Sequence, residues 1–149
     1  MIKIFILLIL LISNLSAIDK VFFLPIENKL VTKEIESQIK NAKNNIDIAM
    51  YNFSYKKFSK LLEDASARGV KVKIYYFKKK SDFSNNIEIK NIKDKLHVKL
   101  AIIDKKVVIF GSANWTEESF EENYEVIYIS DKASLVKDFN KFYNYLEQQ

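Results

Sequence analysis

The sequence predicts an α/β protein in which helices cover both faces of a mixed β-sheet. Apolar residues alternate along several short segments, and the segments between them carry apolar residues at helical spacing. Strands separated by helices are typical of βαβ units, whose sheets are largely buried. Hydrophobic residues make up 48% of the 149 residues, with 2 Gly and 1 Pro, a composition that favours one packed core over a disordered chain.

The N-terminal residues differ from the rest. They read MIKIFILLILLISNLSA, with one lysine, nine apolar residues over 4–12 and a polar stretch that ends at Ala17. This is the plan of a secretory signal peptide, and the apolar run is shorter than the ~20 residues of a membrane helix. An uncleaved membrane anchor is the alternative, because Ile18 and the following VFFL prolong the apolar segment. We predict a signal peptide or anchor over 1–17, a domain over 18–149, and a periplasmic or secreted location.

The first half of the domain contains three predicted strands and two predicted helices. DKVFFLP is a strand that stops at Pro25, and a helix with Thr32 as its N-cap follows. NIDIAMYNF alternates as a second strand. Ser54 is the predicted cap of the second helix, which ends at Gly69 before the strand VKVKIYYF.

The second half contains a predicted hairpin, two further strands and a closing helix. A short strand over 87–89 interrupts the polar, lysine-rich stretch 78–95. The hairpin has strands over 96–103 and 107–110, joined by the turn 104–106. EVIYIS is another strand. The amphipathic helix that ends the chain is marked by Leu135, Val136, Phe139, Phe142 and Leu146.

The charge of the chain indicates the class of its partners. The net charge is +5 and the pI is near 9.2, which favours polyanions such as nucleic acid or anionic lipid headgroups. Arg68 is the one arginine among the 24 basic residues, so contacts to phosphate would be made mainly by lysines. The chain has no Cys, so an exported form has no disulfide to stabilise it. A lysine-rich surface is also typical of an ordinary solvated surface.

The hairpin carries the polar residues that point to chemistry, in the stretch LHVKLAIIDKKVVIFGSANWT. His97 is the single histidine, and Lys99 shares its strand face about 7 Å further along. Gly111 lets the returning strand leave the sheet, so we expect Ser112 and Asn114 to lie close to His97 and Lys99. A nucleophile or base, a cation and two neutral hydrogen-bonding groups suit an anion such as a phosphodiester.

These residues resemble a known family. HVKLAIID…GSANWT is similar to the HxKxxxxD–GSxN signature of the phospholipase D superfamily, in its small, single-motif, Nuc-like bacterial endonuclease branch. IKNAKNNIDIAMYNFS and LLEDASARGVKVKIYY resemble two helix–strand units of that family, and ENYEVIYIS resembles its strand with a further active-site acid. The resemblance implies a phospholipase D-like fold and a phosphodiesterase that uses no metal and no cofactor.

The resemblance also implies a role for each site residue. His97 would attack phosphorus and form a phosphohistidine. Lys99 and Asn114 would hold the non-bridging oxygens, with Ser112 adding a hydroxyl. Glu125 would accept the other ring N–H of His97 and keep the attacking nitrogen free. A neutral imidazole is a competent nucleophile near pH 7, which agrees with these roles.

Other residues near the motif have more than one interpretation. Asp104 lies at the turn with the opposite strand parity, so we expect it to brace the hairpin rather than touch phosphate. Trp115 either stacks on a base of the substrate or anchors the next helix. Tyr75, Tyr76 and Phe77 precede KKKSDF, so they either bind a single strand or divide between the two faces of a strand.

With a single histidine in the chain, the resemblance implies a homodimer. The chemistry needs a nucleophile and a separate acid for the leaving oxygen, and the family uses two motifs for that purpose. With one motif in this chain, the resemblance implies two copies whose motifs face each other across a two-fold axis, with His97 of one attacking and the other acting as general acid. A monomer should then be inactive.

The leading function is an exported, metal-independent phosphodiesterase that cleaves DNA or RNA. One alternative is a phospholipid phosphodiesterase of the cardiolipin type, associated with a membrane through the N-terminus. The stretch 78–95 is rich in Lys and poor in large aliphatic residues, which favours nucleic acid. Another alternative is a non-catalytic exported module whose DNA binding weakens steeply with salt and survives loss of His97.

Overall fold

The computed structural model describes residues 17–79, 81–84, 86–92 and 95–149. The predicted signal peptide therefore lies, apart from Ala17, outside the described residues. Among the residues described, no helix is both long and apolar enough to cross a bilayer. The elements are β1 (Asp19–Leu24), α1 (Asn28–Asn41), β2 (Asn45–Phe53), α2 (Lys56–Ala67), β3 (Lys71–Lys79), β4 (Glu88–Asn91), β5 (Lys99–Ile103), β6 (Val107–Gly111), α3 (Glu117–Glu121), β7 (Glu125–Ser130) and α4 (Ala133–Glu147).

The strands form one seven-stranded mixed sheet in the order β1-β7-β6-β5-β2-β3-β4. Strands β2, β3 and β4 are parallel neighbours, and all other pairs are antiparallel. The predicted α/β class with a mixed sheet is confirmed. We call the edge where β2 ends and β5 begins the histidine edge, and the opposite edge, which holds the turn between β5 and β6, the turn edge.

Helices cover both faces of the sheet, as the sequence predicts. On one face α1, α2 and α3 bury apolar residues such as Ile35, Leu62 and Phe120 in the larger core cluster. On the other face α4 contributes Val136 and Leu146 to a second cluster. The two clusters lie on opposite sides of the sheet because successive side chains of a strand alternate between its faces.

Strand β1 carries the chain from the turn edge to the histidine edge. Asp19 lies opposite Ser130 and Leu24 lies opposite Glu125 in the antiparallel pair with β7. The N–H of Asp131 donates to the carbonyl oxygen of Ile18 at 2.9 Å, which holds the beginning of the described chain at the turn edge.

The first helix begins earlier than predicted. Strand β1 ends before Pro25, as expected, but α1 begins at Asn28 and Thr32 lies inside it, where its hydroxyl donates to the Asn28 side chain at 2.9 Å. The Glu27 carboxylate accepts the N–H of Phe23 at 2.8 Å and closes the connection from β1. The predicted N-cap at Thr32 is therefore wrong, because this turn places the N-cap at Glu27, five residues earlier.

The second helix also begins at a different residue. Ser54 does not cap α2, which follows Tyr55 without a side-chain cap. The N–H groups of Ser54 and Tyr55 both donate to the carbonyl oxygen of Trp115 at 2.9 Å, so this stretch is tied to the chain after β6. The end of the helix is as predicted: Gly69 has a φ of +90°, the left-handed conformation that glycine adopts without strain.

The hairpin is shorter on its first side than predicted. Strand β5 begins at Lys99 rather than at residue 96, so His97 lies just before it. The N–H of Lys106 donates to the carbonyl oxygen of Ile103 at 2.9 Å, and Asp104 and Lys105 have φ values of 51° and 54°. The turn over 103–106 has positive φ at both of its central residues, which is typical of a type I′ turn and suits the twist of a hairpin.

Candidate active site

Antiparallel pairing with β2 places the segment before β5 at the histidine edge. Lys99 lies opposite Met50, and the N–H of Tyr51 donates to the carbonyl oxygen of Val98 at 3.1 Å. These contacts extend the pairing with β2 to Val98, which precedes the first residue of β5. They place His97 beside the end of β2, with its side chain exposed.

His97 and Lys99 are in direct contact. The Lys99 ammonium lies 3.4 Å from Nδ1 and 3.4 Å from Nε2 of the His97 ring, and it donates to the His97 carbonyl oxygen at 2.9 Å. Lys99 is only 8% exposed, whereas the ring is open to solvent. An anion that approaches the imidazole therefore meets a fixed positive charge beside it.

The surroundings of Lys99 change its protonation. Burial lowers the pKa of the Lys99 ammonium below its ordinary value, the carboxylate of Glu125 opposes this shift, and the positive charge of Lys95 adds to it. Lys99 is thus a cation held against a desolvation cost, and its electrostatic partner is an acid on a different strand.

Ser112 and Glu125 are joined at the same edge. The Ser112 hydroxyl donates to the Glu125 carboxylate and accepts the N–H of Val126 at 3.0 Å. The expected hydrogen bond from His97 to Glu125 is absent between these described side chains. The reason is the strand order: β6 lies between β5 and β7, and Ser112 at the end of β6 takes up the carboxylate oxygen.

Gly111 allows the close approach of β6 to β7. A Cβ atom at this position would lie 2.0 Å from the carbonyl oxygen of Val126, closer than atoms can pack. Any other residue would force the strands apart. The contact between Ser112 and Glu125 therefore depends on a glycine at 111.

Asn114 is held by the end of β2. Its side-chain oxygen accepts the N–H of Asn52 at 3.2 Å. This bond orients the Asn114 amide at the histidine edge. Its donor, Asn52, directly follows Tyr51, whose ring lies beside that of His97. The bond uses the amide oxygen, so the NH₂ group is the part suited to a phosphate oxygen.

Asp104 lies at the turn edge. Its carboxylate accepts the N–H groups of Lys43 at 2.9 Å, Asn44 at 2.7 Å and Asn45 at 3.0 Å. Burial raises the pKa of the Asp104 carboxyl, but the three backbone donors outweigh it and leave the pKa below its ordinary value. The residue ties the hairpin turn to the beginning of β2, at the opposite end of β5 from His97.

The aromatic residues near the motif lie mainly in the core. Trp115 is 3% exposed and packs against Phe53 and Phe58, with ring centroids 5.6 and 4.9 Å away. This is the geometry of the anchor interpretation, and base stacking would need an exposed ring. Tyr75 is buried and stacks on Tyr143 of α4 at 5.0 Å. Of the two interpretations of that strand, division between its faces agrees with this packing.

Tyr51 is a site residue that the sequence analysis missed. Its ring centroid lies 5.0 Å from that of His97 and 5.6 Å from the Lys99 ammonium. In the sequence, Tyr51 is one aromatic residue in an alternating strand far from the motif. Only the pairing of β2 with β5 identifies Tyr51, and the local spacing of residues does not predict that pairing.

The histidine edge thus combines a ring nitrogen, a buried ammonium, a hydroxyl, a carboxylate and an amide. A phosphate in front of His97 would meet the Lys99 ammonium, with the NH₂ group of Asn114 at the same edge. In the part of the chain that the structure describes, there is no group of three or more His, Cys, Asp or Glu side chains with the geometry to hold a metal ion.

Comparison with known sequences identifies the family. A family model described as cardiolipin synthase, PLD-like domain, matches residues 35–146, which include the whole stretch from His97 to Glu125. A phospholipase D of Rickettsia bellii (strain RML369-C) is 36% identical over 119 residues, which are 72% of this chain and 59% of that protein. The chain therefore spans about three fifths of the length of that relative, 59%.

Solved structures share the fold. NucT from Helicobacter pylori superposes with a TM-score of 0.80 at 26% identity, covering 89% of this chain and 97% of that one. Nuc from Salmonella typhimurium, a phospholipase D family member, has a TM-score of 0.75 at 23% identity, covering 90% and 96%, and shows the same fold. Because the family model matches most of the described sheet and the sequence carries the HxKxxxxD–GSxN motif at its histidine edge, the chain belongs to the phospholipase D superfamily of phosphodiesterases.

Proposed function

We propose that this chain is an exported phosphodiesterase that cleaves nucleic acid without a metal, through a covalent phosphohistidine. The observation that carries the proposal is the contact between the exposed His97 ring and the buried Lys99 ammonium, at 3.4 Å from both ring nitrogens. A nucleophile next to a fixed positive charge is what attack on a phosphodiester requires.

The reaction follows from the residues at the histidine edge. A ring nitrogen of His97 forms a bond to phosphorus while the bond from phosphorus to the leaving oxygen breaks, and a general acid protonates that oxygen. Water then attacks the phosphohistidine, and the phosphorus–nitrogen bond breaks. Lys99 and Asn114 stabilise the charge on the non-bridging oxygens, while the Ser112 hydroxyl donates to Glu125 and holds that carboxylate beside the site.

Charge near the site supports nucleic acid as the substrate. Lys95 lies two residues before His97 and is exposed, and Lys78 is exposed beside the end of β3. The net charge of the chain is +5. Exposed lysines that replace counterions along a phosphate backbone give an affinity that does not depend on sequence.

The general acid requires a second copy of the chain, because His97 is the single histidine. A surface beside the site suits such a partner. It consists of Phe23, Ile26, Tyr124 and Val126, all exposed, with Ile26 85% and Tyr124 89% accessible. We call this the apolar rim. Contiguous exposed apolar side chains mark interaction surfaces in small proteins.

The apolar rim is continuous with the site. It surrounds a shallow cavity of about 490 Å³ whose lining also includes Ser112 and Glu125. A second copy seated on the rim in a two-fold arrangement would bring its own histidine edge towards the first. We therefore propose a homodimer with the rim in its interface and one active site between two copies of His97.

The phospholipid alternative rests on a different observation. The matching family model is described by cardiolipin synthase, and the cavity beside Ser112 is lined mainly by apolar side chains. An acyl chain would suit such a lining. In this alternative the apolar rim contacts lipid rather than a second copy.

Cleavage of labelled single- and double-stranded DNA and RNA in excess EDTA tests the function, with His97→Ala as the control. We expect degradation that resists EDTA and is lost in the variant. The same preparations are incubated with cardiolipin-containing vesicles, and release of phosphatidate from these with nucleic acid left intact would support the lipid alternative. Retention of DNA without cleavage, unchanged in His97→Ala, would support a binding module.

The dimer is tested with the double variant Ile26→Glu, Tyr124→Glu. We expect it to sediment as a monomer and to lose cleavage while staying folded, because both side chains are exposed. Tyr145→Glu is the matched control, an exposed aromatic on α4 away from the rim. A double variant that remains dimeric and active would contradict the proposed interface.

Export is tested by the N-terminus of the protein recovered from cells. Mass spectrometry of the periplasmic and culture fractions should find a chain that begins at Ile18. A chain that begins at Met1 in the membrane fraction would support the anchor instead, and one confined to the cytoplasm would contradict both.

A further inference from the structure

The ring of Tyr51 contacts both groups that the proposed reaction uses. It is tilted by 59° against the His97 ring, with centroids 5.0 Å apart, and the Lys99 ammonium lies 5.6 Å from its centroid. An ammonium this close to an aromatic ring is attracted by the negative electrostatic potential of the ring face. One side chain on β2 thus joins the nucleophile and the cation.

This contact matters because little else fixes His97. The ring is exposed and precedes β5, and the carboxylate expected to orient it is bound to Ser112 instead. Its described contacts are the two long approaches of Lys99, at 3.4 Å each, and the ring of Tyr51. Small displacements of a nucleophile reduce the rate strongly, so the group that limits its motion affects catalysis.

We propose that Tyr51 is a positioning residue, which holds the Lys99 ammonium against its ring and packs against His97 so that both groups face the same phosphate. This inference rests on the proposed phosphodiesterase function. The role belongs to the aromatic ring and not to the phenol hydroxyl, because both contacts are made to the ring.

Tyr51 is itself well supported. Its ring is nearly parallel to that of Phe77 on β3, with an interplanar angle of 13° and centroids 5.6 Å apart. Its backbone N–H donates to the carbonyl oxygen of Val98 at 3.1 Å. Because β2 and β3 are neighbouring interior strands of the sheet, the ring has a rigid base and can limit the motion of a side chain outside the sheet.

The electrostatic part of the role concerns Lys99. Charged groups face it from two sides, Glu125 from β7 and Lys95 from the segment before β5, and His97 is its nearest titratable neighbour. Burial already lowers the pKa of the Lys99 ammonium. The ring of Tyr51 favours the charged form, so its removal should lower that pKa further.

The test compares Tyr51→Leu with Tyr51→Phe in the full chain. In Tyr51→Leu we expect kcat on DNA in EDTA to fall about tenfold or more, with KM nearly unchanged. The alkaline limb of the kcat profile should move to lower pH by roughly half a unit to one unit. Tyr51→Phe keeps the ring and should restore both values, which also shows that the limb is not caused by the Tyr51 hydroxyl.

Tyr76→Leu is the matched control, a half-buried tyrosine on the neighbouring strand that should leave kcat and the pH profile unchanged. A second measurement does not need activity. His97 is the single histidine, so its ring protons give one identifiable set of NMR signals. These should lose the ring-current shift from Tyr51 in the Leu variant and keep it in the Phe variant.

The kinetic and the NMR measurements test different parts of the proposal. Wild-type kcat and an unmoved alkaline limb in Tyr51→Leu would overturn the positioning role, whatever the NMR result. NMR signals identical in wild type and Tyr51→Leu would overturn the contact itself. A wild-type protein that cleaves no phosphodiester would overturn the proposed function, and the NMR comparison would still decide on the contact.

Discussion

The two ends of β5 carry residues of the same motif in opposite environments. At the histidine edge, the nitrogens of the exposed His97 ring lie 3.4 Å from the Lys99 ammonium, and the ring packs against that of Tyr51. At the turn edge, the carboxylate of Asp104 accepts three backbone N–H groups between 2.7 and 3.0 Å. The first end leaves the ring of His97 open to solvent, and the second uses both carboxylate oxygens of Asp104 within the protein.

This difference predicts that one residue of the motif, Asp104, does not touch the substrate. An open ring nitrogen can form a new bond, whereas a carboxylate that satisfies three donors contributes to stability and has little capacity left for a ligand. We expect substitutions at the histidine edge to change activity with little effect on folding. Substitutions at the turn edge should do the reverse.

The strongest test of this division is His97→Asn. We expect the rate of cleavage to fall on the order of 10⁴-fold or more, because the nucleophile is removed. The midpoint of thermal unfolding should stay within about 2 °C, since an exposed side chain contributes little to stability. Single-turnover cleavage and calorimetry measure the two quantities. A large fall in the midpoint would show that His97 also has a structural role.

Asp104→Ala should give the opposite result. We expect the free energy of unfolding to fall by about 3 kcal/mol, because three hydrogen bonds are lost. In addition, Ala has no side-chain hydrogen bond that would offset the strain of the positive φ at this position. Cleavage per folded molecule should be unchanged well below the unfolding midpoint. Urea unfolding measures the loss. Inactive protein that is still folded would place Asp104 in the chemistry instead.

Asp104→Asn is the intermediate variant, and we expect it to lower the free energy of unfolding by about half as much as Asp104→Ala does. Its side-chain oxygen can replace Oδ1, which accepts from both Asn44 and Asn45, while the bond from Lys43 to Oδ2 is lost. Asn also tolerates positive φ. A loss as large as that of Asp104→Ala would show that the charge matters more than the hydrogen bonds.

Acid should weaken the turn edge through the same carboxylate. The pKa of Asp104 in the folded protein lies below its ordinary value of 3.8. Its contribution to stability is therefore fully present above that value and is lost as the pH falls through the lower, folded pKa. Urea unfolding at a series of pH values should show that the difference in the free energy of unfolding between wild type and Asp104→Asn becomes smaller as the pH falls through this range. A constant gap would contradict the assignment.

The smallest expected effect is at the turn itself. Lys105 has a φ of 54°, a conformation that costs a residue with a side chain more than glycine. Lys105→Gly should raise the free energy of unfolding by about 0.5–1 kcal/mol without changing activity, because Asp-Gly suits a type I′ turn. Lys106→Gly, at a position without positive φ, should give no gain.

The sequence predicts what local patterns determine. The alternation in EVIYIS marks β7 from Glu125 to Ser130, and Gly69 marks the end of α2. The predicted N-caps at Thr32 and Ser54 are wrong because hydrogen bonds that the helical pattern does not contain decide where those helices begin. The Glu27 side chain closes the turn before α1, and Trp115 binds the chain before α2.

The candidate site divides in the same way. The motif itself gives His97, Lys99, Ser112 and Asn114 their places at one edge, since they belong to one hairpin and its exit. The partner of Glu125 and the presence of Tyr51 depend on which strands are neighbours. Pairing between β2 and β5 joins residues about fifty apart in the chain, and no spacing rule in the sequence encodes it.

The path of β1 has a consequence for attachment. The chain passes from Ala17 into β1 at the turn edge, and the strand then runs from Asp19 to Leu24, about 17 Å, before it reaches Glu125. The described chain therefore begins on the far side of the molecule from His97, and a bilayer, a resin bead or a fused protein joined directly at Ala17 would lie on that side. A tethered copy would point its reactive edge outward, to long polymers in solution rather than to the surface that holds it.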